Sequence, residues 1–380
     1  MKKKKQKELL KKLMMITAGL LILIILIIIL IILFNRPKTY TIENIHEFEL
    51  RLIELAKEYY NNNANLLPTE GESTTLVFQS FVDLEIMKPL EEVIINGEGC
   101  SAKIDVTNNN GYLLFLPKVD CGDRYKYQVL TEIITDEENI VESGNGLYLM
   151  GENYVFRGDN VKNHIYFANR LWVILSVYED GSMQIMEVGQ RETSVWDNRF
   201  NVERRHSAGI NDFIRRDINS RIKDRLDRID ANPEYLNPDE RGHLLKQTLC
   251  IGKRTIRNAS RDGRVECRTT LEDQTLGLIA VYEFLRVSLD PNCRTALSTS
   301  CVNYNYLARL TPAFWTLTGE SGTTHRVFRV SGSMNLTHAS NSTSIKVVAR
   351  LTNEALYRSG DGSANNPYQL ITSPITAEIQ

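Results

Sequence analysis

The chain begins with a long apolar stretch that follows a cluster of lysines. Residues 13–34 carry no charge and consist almost wholly of Leu, Ile and Met, and seven of the first twelve residues are Lys. A helix of this length extends about 33 Å, which is enough to cross a hydrocarbon core of about 30 Å. The sequence therefore predicts a transmembrane anchor at 13–34, preceded by a lysine-rich tail at 1–12.

The charges that flank this stretch predict its orientation. The lysines of the tail outnumber Arg36 and Lys38 on the other side, and positive charge is retained in the cytoplasm. A cleavable signal sequence has a shorter apolar run and a small-residue cleavage site, which the residues after Phe34 do not supply. We therefore expect an uncleaved, single-pass anchor in the plasma membrane, with the N-terminus inside and the remainder extracellular.

The periodicity of apolar positions changes after the anchor. Between Ile42 and Asn61 they recur every three or four residues, which predicts an amphipathic helix. Between Ala102 and Leu116 they alternate on either side of a polar Asn/Gly run, which predicts a β-hairpin. Residues 40–127 are therefore predicted to form a small α+β domain.

The second half of the chain is dominated by alternating, strand-like patterns. Two of them flank Asp180-Gly181, a dipeptide typical of hairpin turns. Between Ser207 and Asp230 the period returns to three or four, which predicts one long amphipathic helix. We expect a polar linker at 128–147 and a larger β-rich domain at 148–380, so the fold class is α+β with two external domains.

Charge excludes one class of partner. The chain has a formal net charge of −2, but its first 34 residues are strongly basic, so the external part is acidic. A nucleic-acid partner requires a basic face. In the predicted helix at 207–230, Asp residues interleave with the arginines, which is typical of a solvated face. We therefore expect no nucleic-acid partner.

The six cysteines all follow the anchor, and an even number in an oxidising compartment favours three disulfides. Six cysteines allow fifteen pairings, and we predict the sequence-local one because each pair lies in a segment with a hairpin or loop pattern. A zinc site is disfavoured, because no C-x-x-C occurs and no His stands at finger spacing. The predicted pairs are Cys100 with Cys121, Cys250 with Cys267, and Cys293 with Cys301.

No segment carries a motif for catalysis. The hydrolase, metalloprotease, P-loop and dinucleotide motifs are missing, and the six histidines lack ligand spacing. We therefore expect neither an enzyme, nor a metal site, nor a cofactor. Trp172 and Trp315 alternate with apolar neighbours and are predicted to be buried. Trp196, beside Asp197 and Asn198, is the candidate for a surface aromatic that stacks on a ligand.

Two resemblances extend this interpretation. The first covers residues 41–127, where a helix is followed by Asn-Leu-Leu-Pro-Thr-Glu, a short helix, Cys100, a hairpin and Val-Asp-Cys-Gly-Asp at 119–123. This order resembles the pilin-like external domains of Gram-positive bacterial surface proteins. Gly19 is not followed by the Phe-Thr-Leu-Ile-Glu of true pilins, so the resemblance does not imply polymerisation into a pilus.

The second resemblance runs from Tyr148 to the C-terminus. Its matching blocks include Tyr154 to Asn160, Phe-Trp-Thr-Leu-Thr at 314–318 and Ser-Gly-Asp-Gly-Ser at 359–363. They resemble an uncharacterised family of bacterial surface domains that is similar to the C-type-lectin-like and formylglycine-generating-enzyme-like fold. Relatives with this fold bind glycans or proteins or act as oxidases. This chain lacks the calcium-dependent sugar triplet, and its cysteines are predicted to be committed to disulfides.

These patterns together predict a function outside the cell. We expect a membrane-anchored recognition or adhesion protein that binds a glycan or a surface protein through its larger domain. The alternative is a structural or pilus- or secretion-like assembly subunit that uses its pilin-like part.

Overall fold

The structure is a computed structural model that describes residues 39–189, 192–202 and 205–371. The predicted lysine-rich tail at 1–12 and anchor at 13–34 lie outside these residues. Within the described ranges, no helix combines the length and the apolar character that a membrane span requires. The described fold is mixed α+β with mostly β-structure, as the sequence predicted.

The secondary-structure elements are numbered here in chain order. The α-helices are α1 Ile45–Asn62, α2 Gln79–Asp83, α3 Leu90–Val93, α4 Leu130–Ile134, α5 Arg221–Asp230, α6 Pro238–Gly242, α7 Val281–Val287 and α8 Tyr306–Arg309. The strands up to the middle of the chain are β1 Ser73–Val77, β2 Ser101–Asn109, β3 Tyr112–Asp120, β4 Gln128–Val129, β5 Gly146–Met150, β6 Asn153–Arg157, β7 His164–Phe167, β8 Arg170–Val177, β9 Met183–Glu187, β10 Thr193–Val195, β11 Ile214–Arg215 and β12 Ile218–Asn219. The remaining strands are β13 Leu244–Leu245, β14 Gln247–Cys250, β15 Thr270–Gln274, β16 Leu276–Gly277, β17 Phe314–Gly319, β18 Arg326–Ser331, β19 Ser333–His338, β20 Ser342–Ser344, β21 Val348–Leu351, β22 Leu356–Ser359 and β23 Tyr368–Leu370.

The smaller part of the fold packs one helix on one antiparallel sheet. Strands β1, β2 and β3 pair in that order, and the β2–β3 hairpin predicted from the sequence is confirmed. Asn110 and Gly111 turn it with φ angles of 55° and 82°, the left-handed pair that a two-residue hairpin loop requires. Helix α1 buries Phe48 and Leu52 in a core shared with this sheet. The predicted helical period at 42–61 is thereby confirmed.

The larger part contains two large sheets, two small two-stranded sheets and one extended core. The larger sheet runs β13-β21-β9-β8-β7-β23-β22-β4, with β5, β6 and β16 added at its sides. The predicted hairpin around Asp180-Gly181 is its β8–β9 pair. The second sheet has the order β10-β20-β17-β18-β19. Trp172 and Trp315, one from each sheet, are both fully buried, as the sequence predicted.

The segment 128–147 is not a free polar connector. Its strand β4 pairs with β22 near the opposite end of the chain, and Leu130, Ile134 and Leu147 are buried in the larger core. The polar run at 136–139 suggested a free connector, although apolar residues flank it on both sides. This segment therefore belongs to the structure that it was predicted to connect.

The long helix expected at 207–230 is shorter than predicted. Helix α5 begins at Arg221, where the hydroxyl of Ser220 accepts a hydrogen bond from the backbone N–H of Lys223. The preceding residues form the small β11–β12 hairpin, turned by Arg216 and Asp217 with φ angles of 50° and 60°. Phe213 before the hairpin and Ile222, Leu226 and Ile229 of the helix enter the same core, whereas Ile218 of the hairpin is exposed.

The surface position expected for Trp196 is wrong. Its side chain is fully buried, with ring centroids 6.0 Å from Trp315 and 5.9 Å from Phe213. Its Nε1–H has no hydrogen-bond acceptor among the described residues. Its polar neighbours in the sequence suggested exposure, but aromatic packing decides its place. Trp196 is therefore not available to stack on a ligand.

The three predicted disulfides are confirmed with their sequence-local pairing, Cys100–Cys121, Cys250–Cys267 and Cys293–Cys301. The loop closed by the second pair also contains a fully buried ion pair. Arg254 donates from Nε and Nη2 to the two oxygens of Glu266, at 2.7 and 2.9 Å, and also donates to the carbonyls of Asn258 and Ser260. One guanidinium thus organises most of this loop.

Truncation of Trp196 tests its position in the core. We expect Trp196→Ala to lower the free energy of unfolding by about 3–5 kcal/mol, because it leaves a cavity. Trp196→Phe should lower the free energy of unfolding much less, since it also removes a buried donor that has no acceptor. Trp315→Phe is the matched control and should cost more than Trp196→Phe, because Trp315 Nε1 donates to Ser194 O at 2.8 Å. Calorimetric unfolding measures all three, and a Trp196→Ala protein as stable as the parent would contradict the buried position.

The buried ion pair gives a second stability prediction. Glu266→Gln should destabilise the protein by about 3–5 kcal/mol, because it leaves the Arg254 charge buried without a carboxylate. Asp262→Asn, in the same disulfide loop, removes an exposed partner of Arg264 and should cost less than about 1 kcal/mol. Urea unfolding compares the two variants, and equal losses would show that the buried pair does not organise the loop.

Candidate functional site

Three histidines that are distant in the sequence come together on the larger part of the fold. The rings of His206 and His325 stack with their centroids 3.8 Å apart and an interplanar angle of 16°. His338 approaches both edge-on, at centroid distances of 5.3 Å from His325 and 6.0 Å from His206. We call these three residues the histidine cluster.

His206 lies at the end of a loop whose base is tightly fixed. Asp197, directly after Trp196, is fully buried, and its carboxylate accepts hydrogen bonds from the backbone and the guanidinium of Arg199. Its backbone N–H donates to Ala339 O at 3.0 Å, which ties the loop to the end of β19. Gly209 passes so close to Asp197 that a Cβ would lie 1.9 Å from the Asp197 carbonyl oxygen. Position 209 therefore requires glycine, because only a residue without a Cβ fits this close to the Asp197 backbone.

The upper part of the loop is closed by backbone pairing. The N–H of Asn201 donates to His206 O at 2.9 Å, and the N–H of His206 donates back to Asn201 O at 3.1 Å. The Nδ1 atom of His206 accepts a hydrogen bond from the backbone N–H of Ala208 at 2.9 Å. Since Nδ1 is an acceptor, the neutral ring carries its proton on Nε2.

His325 is positioned by a buried amide. The side-chain nitrogen of Asn211 lies 2.7–3.0 Å from the carbonyl oxygens of Glu320, Thr323 and Arg326, which span the connection between β17 and β18. The backbone N–H of Asn211 donates to Thr324 O at 3.0 Å. One side chain that is 1% exposed thus fixes the connection that carries His325.

Large apolar side chains are exposed on the loop beside the histidine cluster. Phe200 is 55% exposed and Val202 is 77% exposed, whereas Asn201 between them is buried. Asn201 pairs with His206 across the loop, while its two neighbours in the sequence are exposed to solvent. An exposed aromatic on a fixed loop is typical of a binding surface.

The charge of the cluster depends on pH. Burial lowers the pKa of His325, and the neighbouring His206 and His338 lower it further. Arg326 acts in the same direction, whereas the carboxylate of Glu320 opposes the shift. Near neutral pH His325 is therefore neutral, and acidification places positive charge on a ring that already contacts His206 and His338.

The arrangement of these rings does not favour a metal. A metal ion binds in the plane of an imidazole, and two nearly parallel rings have no common in-plane position. Across the described ranges, no group of three or more His, Cys, Asp or Glu side chains has an arrangement that could hold a metal ion. The surface combines exposed apolar side chains with imidazoles that can form hydrogen bonds.

The sequence named Trp196 as the exposed aromatic, whereas the structure exposes other side chains of the same loop. Trp196 lies at the buried base of this loop, while Phe200 and Val202 form its exposed part. A signal for them does exist, since both are isolated apolar residues in a run of polar and charged ones. The histidine cluster had no such signal, because His206 and His325 are 119 residues apart and only the pairing of distant strands brings them together.

Known proteins add no assignment to this geometry. Comparison of the chain with protein-family models, curated proteins and solved structures found no match.

Proposed function

We propose that this chain is a membrane-anchored, extracellular recognition or adhesion protein that binds a glycan or a surface protein. Its binding surface consists of Phe200 and Val202 with the histidine cluster. The observation that carries the proposal is the exposure of Phe200 on a loop whose base is held by buried Trp196 and Asp197. Such a loop presents an aromatic side chain without the loss of conformational entropy that ordering a mobile loop would require.

The composition of this surface suits a polar partner with an apolar face. A Phe ring stacks on the C–H face of a sugar or packs into a shallow apolar pocket of a protein. The imidazoles beside it provide hydrogen-bond donors and acceptors. Arg204 and Arg205 directly precede His206 in the sequence, and Arg326 directly follows His325. Arg199 precedes Phe200 but is paired with Asp197. This combination favours a neutral or acidic partner.

The three disulfides support a location outside the cytoplasm, because such bonds persist in oxidising compartments. The sequence supports membrane attachment through the apolar stretch at 13–34. We also propose that the smaller part is a pilin-like stalk and that the larger part is a C-type-lectin-like domain. The packing of α1 on the β1–β3 sheet supports the first assignment, and the disulfide-closed loops on a β-rich scaffold support the second.

Binding is tested with the oxidised fragment of residues 39–380 on an array of glycans and bacterial cell-wall fragments. We expect Phe200→Ala to weaken binding to the strongest hit by at least about tenfold, which is typical of a central aromatic contact. Tyr304→Ala is the matched control, because Tyr304 is 56% exposed on a different loop. It should leave the affinity unchanged.

Two outcomes would overturn this assignment. Equal effects of Phe200→Ala and Tyr304→Ala would show that binding does not use the loop. A folded fragment that binds nothing on the array would favour the structural or assembly role instead, and sedimentation of the same sample would then be expected to show self-association.

The pKa of His325 gives a pH prediction. Because folding lowers this pKa below its usual value near 6.5, the unfolded or opened segment takes up a proton first as the pH falls. The contribution of His325 to the stability of the folded histidine cluster is therefore fully present above about pH 6.5, and it decreases below that pH. Binding should weaken between about pH 7 and about pH 5 and return on neutralisation.

The uncharged variant His325→Gln is the control for this pH dependence, and its binding should change less with pH. Burial also lowers the pKa of His164 and of His243, the latter to about 4. Both remain in the variant and contribute the same background. A pH profile that is identical in parent and variant would exclude His325 as the source.

A further inference from the structure

The position where the described chain begins is fixed on the smaller part of the fold. The N–H of Tyr40 donates to Val93 O at 2.8 Å, and the N–H of Ile95 donates to Tyr40 O at 2.7 Å. The Tyr40 side chain is 4% exposed and packs against Phe48 of α1. Whatever precedes Tyr40 must therefore approach this end of the molecule.

Exposed aliphatic side chains lie at the same end. Leu84 is 55% exposed, Ile86 is 49% exposed and Ile95 is 50% exposed. Ile86 lines the same cleft as Tyr40, and Leu84 precedes Ile86 by two residues. The backbone of Ile95 pairs directly with Tyr40. We call Leu84, Ile86 and Ile95 the aliphatic patch.

The patch is held in place by a specific turn. Helix α2 ends at Asp83, and Glu85 adopts a left-handed conformation with φ of 57°. The backbone N–H groups of Ile86 and Met87 both donate to Phe81 O, at 2.9 and 3.1 Å. Since Phe81 is fully buried, this turn is fixed to the core. Leu84 and Ile86 therefore project from a rigid position on either side of Glu85.

The short connection between the predicted anchor and Tyr40 places the aliphatic patch near the membrane. The anchor predicted from the sequence ends at Phe34, and five residues separate it from Tyr40. Even when fully extended, this connection reaches about 20 Å. The end of the fold that carries Tyr40 is thus kept close to the bilayer surface, where a weak apolar contact is strengthened by the tether.

From this placement we infer that the aliphatic patch rests on the outer surface of the bilayer and sets the orientation of the smaller part against the membrane. The inference depends on the proposed anchor. Contact is made by apolar side chains and not by attraction to anionic lipid, because Lys88 is paired with Glu92 at 3.0 Å and Glu85 lines the same cleft. Leu and Ile enter the boundary between head groups and acyl chains without a basic face.

The test uses the full chain in vesicles of phosphatidylcholine, alone or mixed with phosphatidylglycerol. An environment-sensitive fluorophore is attached to Ile86→Cys after oxidative folding, when the native cysteines are paired. We expect blue-shifted emission and strong quenching by head-group spin-labelled lipid in both vesicle types. The matched control is Leu149→Cys, on the β5–β6 hairpin and 56% exposed, which should emit as in water. Ile95→Cys gives a second reading that does not alter the Glu85 turn.

Alkaline carbonate extraction of the same vesicles separates the two ways in which this inference fails. If extraction releases the chain, the anchor itself is wrong and the inference falls with it. If the chain stays in the membrane and the labels at 86 and 95 emit like the label at 149, the anchor stands and the contact between patch and bilayer is overturned.

Discussion

The contact between Trp196 and Trp315 is the constraint on which the candidate site depends. Trp315 belongs to the second sheet, whereas Trp196 begins the loop that crosses its end. Burial of both rings fixes where that loop leaves the core, and the next residue, Asp197, then binds the end of β19. This packing therefore determines the position of the exposed part of the loop. The proposed binding surface thus depends directly on an aromatic contact in the core.

Buried polar groups perform a second role, which is to give irregular segments a single conformation. Asp197 holds its loop through Arg199, Asn211 gathers the carbonyls of the β17–β18 connection, and Arg254 with Glu266 organises the disulfide loop. Loops have few ladder hydrogen bonds, so their backbone groups need side-chain partners when they are buried. Each of these side chains is almost inaccessible, and the low local dielectric strengthens the bonds it makes.

The two exposed apolar surfaces differ in how they are presented. The aliphatic patch stands at the end of the fold where the described chain begins, whereas Phe200 and Val202 extend from a loop of the larger part. The turn after Phe81 fixes the aliphatic patch, and Phe200 lies close to the buried base of its loop at Trp196 and Asp197. Burial of these apolar side chains against a partner surface is favourable, because it removes apolar area from water. In the proposed arrangement, the aliphatic patch faces the membrane and the Phe200 surface remains available to a ligand.

Local order in the sequence determined much of this protein. The apolar period predicted α1, the Asn/Gly run predicted the β2–β3 hairpin, and the spacing of the cysteines predicted all three disulfides, because each feature depends on residues that are close along the chain. Tertiary structure decided the rest. It started the expected long helix only at Arg221, drew 128–147 into the larger sheet and core, buried Trp196 and assembled His206, His325 and His338. The physical reason is that burial and strand pairing act between distant segments, and a polar neighbour in the sequence does not reveal which side chain meets water once those segments have packed.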